Sequence, residues 1–127
     1  RALAVAAYDH KVYVLGGMEK AGSPTTKVDI FDPETNSWHE GPAMQGEGMT
    51  GFGCSAFATG GRLYVSTSKG NLQRLSVDGK SWEIARELPT ARFFHRMLPV
   101  DDTRFVMVAG ANMETGKFEE VEIIPVE

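Results

Sequence analysis

The chain has 127 residues, of which 42% are hydrophobic and 24% are charged. That balance is typical of a globular protein and argues against a disordered chain. The formal net charge is −4 at pH 7, so no basic excess is available to neutralise phosphates. No apolar run approaches the roughly 20 residues that a membrane-spanning helix needs. We therefore expect neither nucleic acid nor membrane as a partner.

Cys54 is the only cysteine, so the chain cannot form an intrachain disulfide. It begins at Arg1 rather than at methionine and shows no signal peptide. We expect that the natural N-terminus lies upstream of Arg1. These features are compatible with the cytoplasm, but they do not identify the compartment.

Short apolar runs separated by turn residues predict an all-β chain. In chain order, three runs share one pattern, in which β-branched and aromatic residues lead into small residues: 12–17, 63–68 and 106–111. Each has an apolar run before it and another after it. Four short strands repeating at about 45 residues are typical of the blades of a β-propeller. Such sheets stack, because a single one leaves an apolar face exposed.

A fixed interval recurs near the end of the repeats. Phe31 precedes Trp38 by seven residues, and Leu75 precedes Trp82 by seven. Asp-Pro and Asp-Gly, which favour turns, lie between the members of each pair. We interpret each pair as the third and fourth strands of a blade. The place of the tryptophans in the repeat predicts that both pack between blades.

Residues 12–17, followed by Phe31 and Trp38, resemble a kelch motif, in which a glycine pair is followed by an aromatic residue, six further residues and a tryptophan. The second repeat has Thr67-Ser68 in place of the glycine pair, and the third has Gly110-Ala111. The resemblance covers essentially the whole chain. It implies kelch-type β-propeller blades, each a four-stranded antiparallel sheet. We expect the first glycine pair, 16–17, to allow close approach of the backbone at a strand end.

We predict one partial kelch propeller over residues 1–127, forming an incomplete ring. Blade one spans 1–44, blade two 51–88 and blade three 91–127. The third blade is expected to lack its outer strand, because a tryptophan seven residues after Ile124 would fall beyond the last residue. The resemblance favours the C-terminal part of a six-bladed ring, with the remaining blades as partners. A homodimer is the alternative.

The resemblance places functional sites on loops at one end of the central channel. The candidate ligand- or partner-binding residues there are Arg92, His95, Arg96 and Glu47. Arginine offers a planar fork for carboxylates. The favoured alternative is structural: Arg92 bonds to loop carbonyls, and His95 packs beside the channel. The matching loop segments are 43–53, 88–95, 18–27, 66–71 and 111–117.

Other residues with chemical potential have plainer interpretations. The glycine-rich segment 45–53 predicts a flexible surface connection, because it does not join a strand to a helix as phosphate-binding loops do. Cys54 is expected to be a small buried residue on an inner strand. The three histidines show no metal-ligand spacing, so we expect no metal and no cofactor.

Two functions stay open. The resemblance implies a binding module whose channel-face loops contact a protein or another ligand, and no set of acid, base and nucleophile demands catalysis. The alternative is part of a kelch-like enzyme that acts on a sugar acid, as an epimerase would. There Arg92 would hold the carboxylate, and His95 or Glu47 would transfer a proton. The binding module is favoured, although a fold does not decide function.

Overall fold

The computed structural model describes residues 1–127 and contains three main sheets side by side, together with one two-stranded hairpin. The first sheet holds β1 (Ala4–Tyr8), β2 (Lys11–Leu15), β3 (Val28–Asp32) and β4 (Ser37–Glu40). After a 3-10 helix (Gly48–Gly51), the second sheet holds β5 (Ser55–Thr59), β6 (Arg62–Ser66), β7 (Asn71–Leu75) and β8 (Trp82–Glu87). Then follow β9 (Arg96–Pro99), β10 (Arg104–Val108), the short hairpin strands β11 (Ala111–Asn112) and β12 (Gly116–Lys117), and β13 (Val121–Pro125).

Within each sheet all strands are antiparallel, and each strand pairs with the next strand of that sheet along the chain. The first two run β1-β2-β3-β4 and β5-β6-β7-β8, and the third runs β9-β10-β13. The prediction of an all-β chain with four-stranded antiparallel sheets and no closed ring is confirmed. The predicted blade boundaries 1–44, 51–88 and 91–127 enclose the three sheets and stay a prediction. No helix has the length and apolar character needed to cross a membrane.

The seven-residue interval has a simple structural cause. Phe31 lies directly opposite Trp38 in the β3–β4 pair, and Leu75 lies directly opposite Trp82 in the β7–β8 pair. The Phe31 and Trp38 rings are 5.1 Å apart between centroids. A fixed interval between cross-strand partners fixes the register, and the register decides which face of the sheet each side chain occupies.

Two hydrophobic cores lie between neighbouring sheets. Leu15, Leu63 and Val65, each 0% exposed, belong to the core between the first and second sheets. Phe57, Tyr64 and Phe105 belong to the core between the second and third sheets, and the Phe57 ring lies 5.3 Å from each of the other two. Successive residues of β6 therefore face opposite cores, as side-chain alternation along a strand requires.

The two tryptophans have different environments. Trp82 is 4% exposed in the core between the first two sheets, and its Nε1 donates a hydrogen bond to the Pro42 carbonyl at 2.9 Å. Trp38 is 60% exposed. Its partner Phe31 follows the buried Ile30, so both aromatic residues occupy the face of the first sheet that has no neighbour. The prediction that both tryptophans pack between sheets is confirmed for Trp82 and stays a prediction for Trp38, which meets no other sheet of this chain.

The connection between the first and second sheets is tightly packed at its C-terminal half. Thr50 is 1% exposed, and Gly51 is also buried. The Gly17 N–H donates to the Gly51 carbonyl at 2.7 Å, and a Cβ on Gly16 would overlap that same carbonyl. The predicted close approach at the glycine pair is therefore confirmed. The prediction of a flexible surface connection over 45–53 is wrong for 50–53, because this part is clamped between the sheets.

We expect Gly51→Ala to lower the free energy of unfolding by about 2–4 kcal/mol, because the added Cβ would overlap the Thr25 carbonyl, which is backbone and cannot rotate away. Urea denaturation measures the change. Gly48→Ala in the same helix is the control. Its Cβ would meet open space, so only the left-handed backbone penalises it, by about 1 kcal/mol. Equal losses for the two variants would contradict the packing argument.

Candidate functional site

One end of the three sheets carries the β2–β3, β6–β7 and β10–β13 loops together with both connections between sheets. A cleft of about 560 Å³ opens at this end between the second and third sheets. Four of the five loop segments predicted from the sequence contribute to its lining. The residues are Met49, Ser68, Lys69, Pro89, Thr90, Ala91, Arg92, Phe93, Ala111, Asn112, Met113 and Glu114. We call this feature the loop cleft.

Arg92 lies at the base of the loop cleft and is only 2% exposed. Its guanidinium donates to the Ala109 carbonyl at 3.1 Å and pairs with Glu122 at 3.3 Å. It also lies over the Phe118 ring, 4.5 Å from the centroid. These three contacts tie the connection before β9 to the β10–β13 loop, through Ala109 and Phe118, and to β13, through Glu122. The contact with the Ala109 carbonyl agrees with the structural interpretation of Arg92, in which its side chain bonds to loop carbonyls. A role of Arg92 in ligand binding stays a prediction.

His95 is 1% exposed and lies where the second and third sheets meet. Its Nε2 is hydrogen-bonded to the Ser66 Oγ, while its Nδ1 is buried without a partner. Burial, with added repulsion from Arg92 and Arg96, lowers the pKa of His95 to about 4. The imidazole is therefore neutral near pH 7.

Arg96 and Glu47 are both exposed and make no ion pair. Arg96 donates to the His95 carbonyl at 3.1 Å. Glu47 precedes the 3-10 helix, and its carbonyl accepts a hydrogen bond from the Thr50 hydroxyl at 2.7 Å. The structure thus places Arg92 and His95 in the connection before β9, Arg96 at the start of β9 and Glu47 in the preceding connection. Of the four, only Arg92 lines the loop cleft. The binding roles of all four stay predictions.

A repeated backbone feature links the connections to the inner strands. Two residues before β1, β5 and β9 the backbone is left-handed, at Ala2 (φ +59°), Gly53 (φ +62°) and Phe94 (φ +58°). The Gly53 N–H donates to the Ala2 carbonyl at 2.9 Å, and the Phe94 N–H donates to the Gly53 carbonyl at 2.8 Å. We call this series of bonds the inner belt. Through these bonds, β1, β5 and β9, the first strands of the three sheets, begin at equivalent positions relative to the segments that precede them.

Cys54 lies one residue before β5 and is 3% exposed, as a small buried residue would be. Burial raises the pKa of its thiol to about 12, against a smaller opposing effect of a hydrogen bond to the Ser68 backbone. Its Sγ–H donates to the Thr50 carbonyl. The thiol is therefore protonated near pH 7 and is a poor nucleophile.

Sequence reasoning missed several residues that build this end of the molecule. Glu122, Phe118 and Ser66 hold Arg92 and His95 in place, yet the first two lie about 30 residues away from Arg92 in the sequence. Gln45 and Gln73 form a reciprocal pair, with the Gln45 N–H on the Gln73 amide oxygen at 2.9 Å and the Gln73 amide N–H on the Gln45 carbonyl at 2.8 Å. Such partners become visible only when the sheet register is known.

The fold and the loops can be compared with known proteins. The solved structure of YjhT, a propeller, aligns with 98% of this chain and 44% of its own chain at a TM-score of 0.78, with 16% identity. That likeness concerns the fold alone. The chain therefore consists of β-propeller blades.

Sequence comparison then gives the family. The family model described as the Kelch motif matches residues 1–45. Kelch-like protein 23 of Mus musculus is 32% identical over 96 residues, which are 69% of this chain and 16% of that protein. Kelch-like protein 21 of Danio rerio is 33% identical over 78 residues, 56% of this chain and 12% of its own length. An F-box/kelch-repeat protein of Arabidopsis thaliana is 26% identical over 99 residues, 61% of this chain and 25% of its own length. The chain belongs to the kelch-repeat family and spans between 12% and 25% of the length of these relatives.

We expect Arg92→Gln to lower the free energy of unfolding by about 2–4 kcal/mol, because it removes the partner of Glu122 and the cation over Phe118. Chemical denaturation at pH 7 measures the loss. Arg96→Gln is the matched control. Its free energy of unfolding should stay within about 0.5 kcal/mol of that of the original chain, since Arg96 is exposed. A negligible effect of Arg92→Gln would show that these contacts do not hold the loops.

The pKa of His95 predicts acid sensitivity. Because the folded value of about 4 lies below the unfolded value of about 6.5, the unfolded state takes up its proton first as the pH falls. The contribution of neutral His95 is intact above pH 6.5 and is lost between pH 6.5 and 4, by about 3 kcal/mol. Urea denaturation between pH 7 and pH 4 measures the free energy of unfolding. It should fall more steeply with decreasing pH for the original chain than for the His95→Gln variant. Parallel pH profiles of the two chains would contradict the assignment.

Proposed function

We propose that this chain is a protein-binding kelch module and that its partner docks at the loop cleft. The observation that carries the proposal is the gathering of loops from different repeats around one cleft of about 560 Å³. Loops on a rigid scaffold are where binding residues concentrate. Relatives carrying kelch repeats, among them the kelch-like proteins, support an interaction role for the module.

The chemistry of the loop cleft supports a protein segment as the ligand. Met113 at its rim is 91% exposed, and Met49 is 43% exposed. Exposed methionines supply apolar, adaptable contact surface, which is typical of sites that bind protein segments.

The sugar-acid alternative stays a prediction that no contact favours. Arg92, its expected carboxylate ligand, is already engaged by Glu122, Ala109 and Phe118. His95 is buried against Ser66. Pairing of the sheets with further blades or with a second copy also stays a prediction, which the mass of the protein from its native source would test.

We expect Met113→Asp to weaken partner capture at least about tenfold, because a charge would enter the apolar rim. The measurement is quantitative co-purification, from cells that make the protein, of whatever binds the tagged chain. Val77→Asp is the matched control: Val77 is 86% exposed, but it lies in the β7–β8 turn at the opposite end. Equal capture by the two variants would contradict docking at the loop cleft.

A further inference from the structure

Phe94 occupies a backbone conformation that its side chain disfavours. The equivalent left-handed positions of the inner belt hold the small residues Ala2 and Gly53. A bulky residue at positive φ is strained, and glycine or asparagine would adopt the same conformation with less penalty. The large side chain at this position therefore works against folding stability. Strain of this kind is found where a residue serves a site.

The ring of Phe94 is held in place but only half covered. It contacts Phe52 and Phe93, with centroids 5.1 and 5.3 Å away, yet Phe94 is 52% exposed. Gly53 makes room for this arrangement, because a Cβ there would come within 2.8 Å of the Phe93 Cβ and 3.2 Å of the Phe94 ring. The ring is thus a fixed aromatic surface that faces solvent, which is the property of an interface anchor.

The charges of the loop cleft, which lies beside this aromatic group, indicate which partner the ring would accept. Phe93 joins this aromatic group to the loop cleft, whose exposed methionines continue the apolar surface. Lys69 and Glu114 are the charged residues of the cleft without an ion pair, and their charges are opposite. Arg92 is already paired. The lining of the loop cleft therefore has no net charge that would select a charged group.

We propose that Phe94 is the anchor of the partner site, and that it takes a large uncharged apolar side chain presented by a protein segment. The proposal rests on the proposed function, since it specifies the chemistry of the partner at the same site. An apolar side chain placed on the half-exposed ring would bury both surfaces. A charged side chain would lose its hydration against the aromatic ring, and the lining of the loop cleft offers no net opposite charge in return.

A display library of random 12-residue peptides, selected against the immobilised chain, supplies the probe. We expect the selected peptides to share a large uncharged apolar residue. Phe94→Asn should bind them at least about tenfold more weakly, and Phe94→Tyr should bind within threefold of the original chain. Val100→Asn is the control, because Val100 is 47% exposed and lies in the β9–β10 turn at the opposite end. It should leave the affinity unchanged.

Urea denaturation separates an anchor from a structural residue. Because asparagine tolerates the left-handed conformation, the unfolding midpoint of Phe94→Asn should not fall below that of the original chain. A lower midpoint accompanying the loss of affinity would overturn the proposal, since Phe94 would then act through folding.

The remaining outcomes separate the two proposals. Peptides that bind Phe94→Asn as well as the original chain would overturn the anchor and leave the binding module standing. Peptides dominated by charged residues would overturn the apolar chemistry. Failure to select any peptide, together with equal capture by Met113→Asp and Val77→Asp, would remove the binding module itself.

Discussion

Each sheet of this chain has two apolar faces, and burying both requires a neighbour on each side. The second sheet meets that requirement. Leu63 and Val65 pack against the first sheet, while Phe57 and Tyr64 pack against the third. The free energy of burying apolar surface thus sets the sheets side by side. Their stacking then brings loops from distant parts of the sequence to one end, and the cleft exists only because of it.

The repeat pattern was visible in the sequence because it follows from local geometry. A turn of fixed length places Phe31 opposite Trp38 and Leu75 opposite Trp82, so the same interval appears twice. The glycine pair was interpretable for a similar reason. Close approach of two backbones excludes a Cβ, and glycine alone satisfies that condition. Strand order and the all-β class were predictable because they depend on local constraints of this kind, namely turn length and steric fit.

Features that depend on contacts between repeats were not predictable. The segment 45–53 has the composition of a free loop, yet its last residues are clamped by a strand end of the first sheet and by Thr25. Trp38 and Trp82 have the same place in the repeat, but only Trp82 has a sheet against it. The left-handed residues of the inner belt share no side-chain type, so no pattern marks them. The sequence named Arg92 and His95 as candidates, but their burial depends on partners far along the chain.

The inner belt has a direction. At each step the N–H of one connection donates to the carbonyl of the preceding one, from Phe94 to Gly53 and from Gly53 to Ala2. The arc of sheets is therefore polar, with an acceptor at the Phe94 end and a donor at the Ala2 end. Another blade can extend this series only if its own N–H group donates to the Phe94 carbonyl or its own carbonyl accepts from the Ala2 N–H. Two first sheets that met face to face through Trp38 would bury apolar surface, but a symmetric contact of that kind would leave donor facing donor.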